Sequence, residues 1–159
     1  MDNAHFSTAA GWSEARDLLM FDLLEPGDTA GCALSALRVH VRDHKLRPLE
    51  IKDRTLEAHY GDFLWSQAFK GAEQARRLAL EVSYGRLATE ARVGDCEARV
   101  YEAGPEPSPD DIDGRNPAVA VWHRNGVLYL LASHRLSGAE LLRIAGSLRP
   151  IGRAIMDAQ

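Results

Sequence analysis

Alternating apolar and polar positions flank three two-residue connections in this chain, Gly61-Asp62, Gly94-Asp95 and Asn125-Gly126. Gly-Asp and Asn-Gly suit the mirror-image turns whose twist matches the flanking strands, so each predicts an antiparallel hairpin of fixed register. Register then says which side chains share a face, since a slip of one residue would send them all to the other side. In the first hairpin, 56–60 with 63–69, Tyr60 faces Phe63, Ala58 faces Trp65 and Leu56 faces Gln67. Glu57, His59, Leu64 and Ser66 take its other face, so one side is aromatic and the other mostly polar. The second, 86–93 with 96–102, sets Arg92 against Glu97 and Glu90 against Arg99, while Val93, Cys96, Ala91 and Ala98 share the opposite face. In the third, 118–124 with 127–133, Trp122 faces Tyr129 and Val121 faces Leu130. Both faces of the third are apolar, which predicts a central place in a sheet; the charge pairs of the second predict a wet one.

The same alternation continues elsewhere. Leu37, Val39 and Val41 alternate with Arg38, His40 and Arg42, the period of a half-buried strand. A turn at 43–45 leads to a shorter strand at 46–51, which Pro48 assigns to an edge. Helical spacing appears three times. Ser13 is placed as the N-cap of a helix over 14–21, with Ala15, Leu18, Leu19 and Phe21 inward, and Glu25-Pro26-Gly27-Asp28 breaks the chain after it. A helix over 71–84 carries the stripe Ala75, Leu78, Ala79 and Val82, with Gly85 as its C-cap. The last helix opens on the capping box Ser137-Gly138-Ala139-Glu140, with Leu136 and Leu141 as its staple. Leu141, Leu142, Ile144, Ala145 and Leu148 form its buried stripe, and Pro150 ends it. A Pro- and Asp-rich loop at 104–117 reads as an excursion between two strands. The pattern predicts an α+β fold: a curved antiparallel sheet of about six to eight strands built from hairpins, with two or three helices packed on it. One domain spans 13–150, after a disordered N-terminal segment at 1–12 and before a C-terminal tail at 151–159.

Composition narrows the function. The chain has 159 residues, 45% of them hydrophobic, enough for one real core. A net charge of −4 gives no field that would attract polyanions, so nucleic acid is not an expected partner. No apolar run approaches the ~20 residues of a membrane helix, so membrane insertion is not expected. Residues 1–11 lack a basic-then-apolar leader, which places the chain in the cytoplasm if it is complete and outside it if it was cut from a longer exported protein. Cys32 and Cys96 make neither a disulfide framework nor a metal knuckle and read as packed thiols.

Candidate chemistry is sparse. His40 and His44 have the spacing of helical metal ligands, but they fall on a strand and a turn, which separates them. Glu57, His59 and Ser66 share a strand face, and His40 joins them if the two strands are neighbours. Such a polar sheet face could carry acid–base chemistry; its plainer reading is a solvated surface, since a closed metal site needs three or four convergent ligands. The run Asp110-Asp111-Ile112-Asp113-Gly114-Arg115-Asn116 has half the pattern of a calcium loop. Its first ligand position falls on Pro109 and its bidentate position on Ala120, and neither has a carboxylate. Arg76, Arg77, Arg86 and Arg92 are diluted by Glu73, Glu81, Glu90 and Glu97. No catalytic residue, metal or cofactor is assigned. The aromatic set Tyr60, Phe63, Trp65, Trp122 and Tyr129 is either core or, if helices leave one side open, the lining of a concave groove for an apolar ligand or partner segment.

The closing stretch Val119-Ala120-Val121-Trp122-His123-Arg124-Asn125-Gly126-Val127-Leu128-Tyr129-Leu130, followed by Leu136-Ser137-Gly138-Ala139-Glu140-Leu141-Leu142-Arg143-Ile144-Ala145-Gly146-Ser147-Leu148, resembles an uncharacterised domain family. That family stands on the extracytoplasmic side of membrane-bound anti-sigma factors and in some bacterial lipoproteins. The resemblance is good over about the last 35 residues and loose over the first 70 or so. It implies a sensor or binding module without known catalytic residues, so it transfers no site. The chain departs from the family in having no preceding membrane helix and in its helix at 71–84. The leading expectation is therefore a non-catalytic binding or regulatory domain that recognises a protein partner or a small apolar ligand, with a homodimer as a candidate assembly. The alternative is a small enzyme with its acid–base groups on the polar sheet face.

Overall fold

The computed structural model describes residues 2–8, 11–19, 21–44, 54–81, 87–104 and 116–151. Ten strands and three helices lie among these residues, in the order β1 (Asp2–Thr8), α1 (Trp12–Leu19), β2 (Leu24–Pro26), β3 (Leu34–His44), β4 (Arg54–Tyr60), β5 (Leu64–Phe69), α2 (Ala72–Leu80), β6 (Thr89–Val93), β7 (Cys96–Tyr101), β8 (Ala118–Arg124), β9 (Val127–Ser133), α3 (Gly138–Gly146) and β10 (Leu148–Pro150). Eight strands form one open antiparallel sheet, ordered β1-β3-β4-β5-β9-β8-β7-β6, and β2 pairs with β10 in a separate ribbon. The fold is α+β, as expected.

Every hairpin register follows the turn residues. Ala58 pairs with Trp65 and Leu56 with Gln67. Glu90 pairs with Arg99 and Arg92 with Glu97. Trp122 pairs with Tyr129 and Val121 with Leu130. The third hairpin is central and β6 is an edge. The turns themselves differ. Asn125 and Gly126 both have positive φ, at 53° and 82°, the two left-handed residues of a type I′ turn. At the second turn Gly94 alone does, at 62°, as type II′ requires. The first connection has no left-handed residue, contrary to expectation. It is closed by the Tyr60 N–H donating to Phe63 O at 2.9 Å and tied down from outside by Ser133 Oγ donating to Asp62 O at 2.5 Å.

Several boundaries move. Residues expected to be disordered supply β1, which pairs along the outer edge of β3 with Phe6 opposite His40. An edge strand draws its hydrogen bonds from backbone, so polar composition did not announce it. The first helix runs Trp12–Leu19 and not from Glu14, with Ala15 N–H donating to Gly11 O, and Leu18 faces outward while Ala15 and Leu19 are buried. The second runs Ala72–Leu80, and its expected cap Gly85 lies outside the described residues, as do the strand at 46–51 and the acidic run 110–115. The third helix has the full capping box and ends at Gly146, so that Leu148–Pro150 is free to become β10. Gly104 N–H donates to Asn116 O at 3.1 Å and closes the base of the Pro-rich excursion between β7 and β8.

The sheet has two unlike faces. The first carries Leu37, Val39, Leu56, Ala58, Trp65, Ala120, Trp122, Tyr129 and Leu131, and it is covered by α1, α3 and the β2–β10 ribbon. Leu19, Leu23, Leu141 and Ile144 enter it from those coverings, each at most 2% exposed. The ribbon is clipped to the end of α3: Gly27 N–H donates to Ser147 O at 3.0 Å, and Arg143 meets Asp28 at 3.1 Å. The second face is covered only in part. There α2 packs Ala79 against Val121 and Tyr101, over β7, β8 and β9.

Candidate functional site

The half of the second face built from β3, β4 and β5 carries no helix among the described residues. Period-two alternation puts Glu57 and His59 on this face of β4, and Glu57 Oε1 stands 3.2 Å from His59 Nε2. Ser66 sits opposite Glu57 on β5. On the other side, Arg38 is opposite Glu57, and His40 is opposite Thr55 and thus one diagonal away from Glu57. The structure brings Glu57 and His59 into contact and sets Ser66 and His40 around them. Among the described residues, no hydrogen bond runs from Ser66 to either. The His59 and Glu57 side chains are 35% and 28% exposed, so water reaches the pair. Half-buried Leu64, Leu130 and Ala132 continue the same face toward the covered half.

A cleft of about 400 Å3 opens where this face meets the tip of the first hairpin. His59, Leu64 and Asp62 line one side, and Pro117, Ser133, His134 and Arg135 the other. Ser133 is 4% exposed and saturated: its Oγ donates to Asp62 O and accepts from Arg135 N–H at 3.0 Å and Leu136 N–H at 2.8 Å. Arg135 and Asp62 form an ion pair at 3.7 Å. Sequence reasoning missed these residues. They come from segments far apart in the chain, joined only because Leu64 pairs with Ala132. The small, polar Ser133-His134-Arg135 stretch after a strand was the one local sign.

The aromatic set is core. Trp65 is 0%, Trp122 3%, Phe63 4%, Tyr129 8% and Tyr60 9% exposed. Trp65, Trp122 and Tyr129 stack on one another with ring centroids 5.6–5.9 Å apart, and Tyr60 stacks on Phe63 at 4.6 Å. The open groove these residues would have lined is filled, because the ribbon and two helices cover that face. Burial pushes the Tyr60 phenol up to about 12, helped by Glu25 and opposed by Arg149. An unfolded phenol ionises near 10, so the neutral ring stabilises the fold below pH 10, and that stability drains away as pH rises from 10 to 12. Tyr60→Phe should flatten this alkaline loss in urea melts; an equally steep loss in the variant would assign it elsewhere.

Burial also raises the Cys96 thiol, with Asp95 adding to the shift, which disfavours the thiolate. Both cysteines are free. Among the described residues, no three His, Cys, Asp or Glu side chains converge as metal ligands, and no helix is long and apolar enough to cross a membrane. Compared with protein-family models, with curated proteins and with solved structures, the chain matches none.

Proposed function

We propose that the chain is a non-catalytic binding module of the regulatory, sensor-like kind, and that it recognises a protein partner through the β3–β4–β5 half of its second sheet face, which no helix among the described residues covers. The observation that carries this reading is the contrast between the two faces. One is closed over its aromatic residues, which argues against a small apolar ligand there. The other leaves Arg38, Glu57, His59 and Ser66 around half-buried Leu64 and Leu130, the mixed polar and apolar surface of a non-obligate interface. The likeness of the Trp122–Leu148 stretch to the sensor-like domains of anti-sigma factors supports the regulatory sense.

The contact between Glu57 and His59 at 3.2 Å favours a second reading, a small enzyme using this pair for acid–base work. Solvent access and the absence of a Ser66 link count against it. A photo-crosslinking residue at Ser66 is expected to give one discrete protein adduct in the native host, which Glu57→Lys abolishes. The control is the same residue at Glu73, on the exposed side of α2. No adduct from position 66, or the same adduct from position 73, would sink the proposal.

A further inference from the structure

We propose that two copies of the chain join through β6, edge to edge and antiparallel about a two-fold axis at Ala91, so that their sheets become one. This goes beyond the proposed function and leaves the β3–β5 half of each copy open, at the far side of the sheet. β6 is the last strand of the sheet and pairs on one side only, with β7, among the described residues. Its pairs run without a bulge from Thr89–Val100 to Val93–Cys96. In a two-residue hairpin the closing pair exchanges both backbone bonds, and the bonding direction then alternates along the strand. Val93, Ala91 and Thr89 therefore turn their backbone groups toward β7, whereas Glu90 and Arg92 turn theirs outward.

A two-fold axis at Ala91 uses those outward groups. Glu90 falls opposite the partner's Arg92, and Arg92 opposite the partner's Glu90, each pair exchanging two backbone bonds. The side chains match as well. Glu90 already faces Arg99 and Arg92 already faces Glu97 within one chain. Across the junction the row reads Arg99, Glu90, the partner's Arg92, the partner's Glu97, alternating in sign throughout. Charges on an edge strand normally discourage pairing. These two differ in sign and stand two residues apart, so a second copy in antiparallel register meets both with the opposite charge. On the axis, two alanines meet where antiparallel side chains come closest, and they fit.

A separate observation points to the same junction. Leu87, just before β6, is 97% exposed, against 37% and 39% for the other exposed leucines among the described residues, Leu18 and Leu34. In this register it falls opposite the partner's Asp95 and diagonal to the partner's Val93, on the face of half-buried Val93 and Cys96. Pairing takes it out of water.

Light scattering over a broad concentration range should give a mass twice the 17.5 kDa of one chain. Glu90→Arg and Arg92→Glu each place like charges opposite at both positions and should each weaken association at least tenfold. Their equimolar mixture should restore it, because the first chain then carries two arginines and the second two glutamates. Leu87→Asp, which touches neither charge pair and sets a carboxylate opposite the partner's Asp95, should also weaken the dimer. A wild-type chain that stays monomeric overturns the proposal. Single variants that dimerise like the wild type, or a mixture that fails to recover, overturn it too. If neither charge variant folds, an undiminished dimer in Leu87→Asp overturns it.

Discussion

Trp65→Ala is expected to lower the stability of the chain by ~3–5 kcal/mol, among the largest effects of any single truncation. The indole is wholly buried and stacks on both Trp122 and Tyr129, each 5.9 Å away. Its Nε1–H donates to Leu24 O at 2.8 Å and so ties the β2–β10 ribbon to the sheet. Truncation removes the packed ring, empties a space that two further aromatic residues border, and leaves a half-buried carbonyl without its donor. Each aromatic contact adds about 0.5–1.5 kcal/mol to the burial itself, and the orphaned carbonyl costs about 1–3 kcal/mol more. Trp65→Phe keeps most of the ring and loses the N–H, so it should fall between Ala and wild type. Urea melts of the three proteins measure this order. An Ala variant within about 1 kcal/mol of wild type would show that the ribbon does not close over the ring.

Local chemistry was legible in the sequence, and assembly at a distance was not. Gly94-Asp95 and Asn125-Gly126 determine a register within four residues, and Ser137 with Glu140 caps a helix within four. Such features depend on nearest neighbours, and the structure keeps them. Period two alone placed Glu57, His59 and Ser66 on one face. β1 and the β2–β10 ribbon depend instead on backbone edges left open by strands elsewhere. Leu148–Pro150 pairs with Leu24–Pro26 across most of the chain, and neither tripeptide carries a strand pattern. The cleft at Asp62 and Arg135 has the same origin. The first turn kept its register without a mirror-image backbone because β5 is also held by β9 and Asp62 by Ser133. There the tertiary contacts did what turn chemistry was expected to do.

Gln67 is the sharpest case of a residue whose place was legible and whose role was not. Register put it opposite Leu56 on the apolar face, where a polar side chain is out of pattern. It is 0% exposed, and its amide behaves like the peptide unit of a neighbouring strand. Oε1 accepts from Leu24 N–H at 2.8 Å, and Nε2 donates to Asp22 O at 3.0 Å. The Leu24 N–H and the Asp22 carbonyl thus find their partners on a side chain, while the Leu24 carbonyl, facing a Pro150 that has no N–H to offer, accepts from Trp65. Gln67→Leu preserves volume and strands two backbone groups at about 1–3 kcal/mol each, so a loss of ~2–6 kcal/mol is expected. Hydrogen exchange at the Leu24 amide should rise along with it. Gln67→Glu provides a pH signature that packing damage would not. Its buried carboxylate keeps the acceptor for Leu24 and loses the donor to Asp22, and burial raises its folded pKa above the unfolded value. The charged form is therefore the destabilising one, and the variant should regain stability relative to wild type as pH falls and the carboxyl takes up a proton it can donate to Asp22 O. A Glu variant whose deficit stays constant from neutral to acid pH, or a Leu variant with unchanged exchange at Leu24, would mean that the bridge does not hold the ribbon.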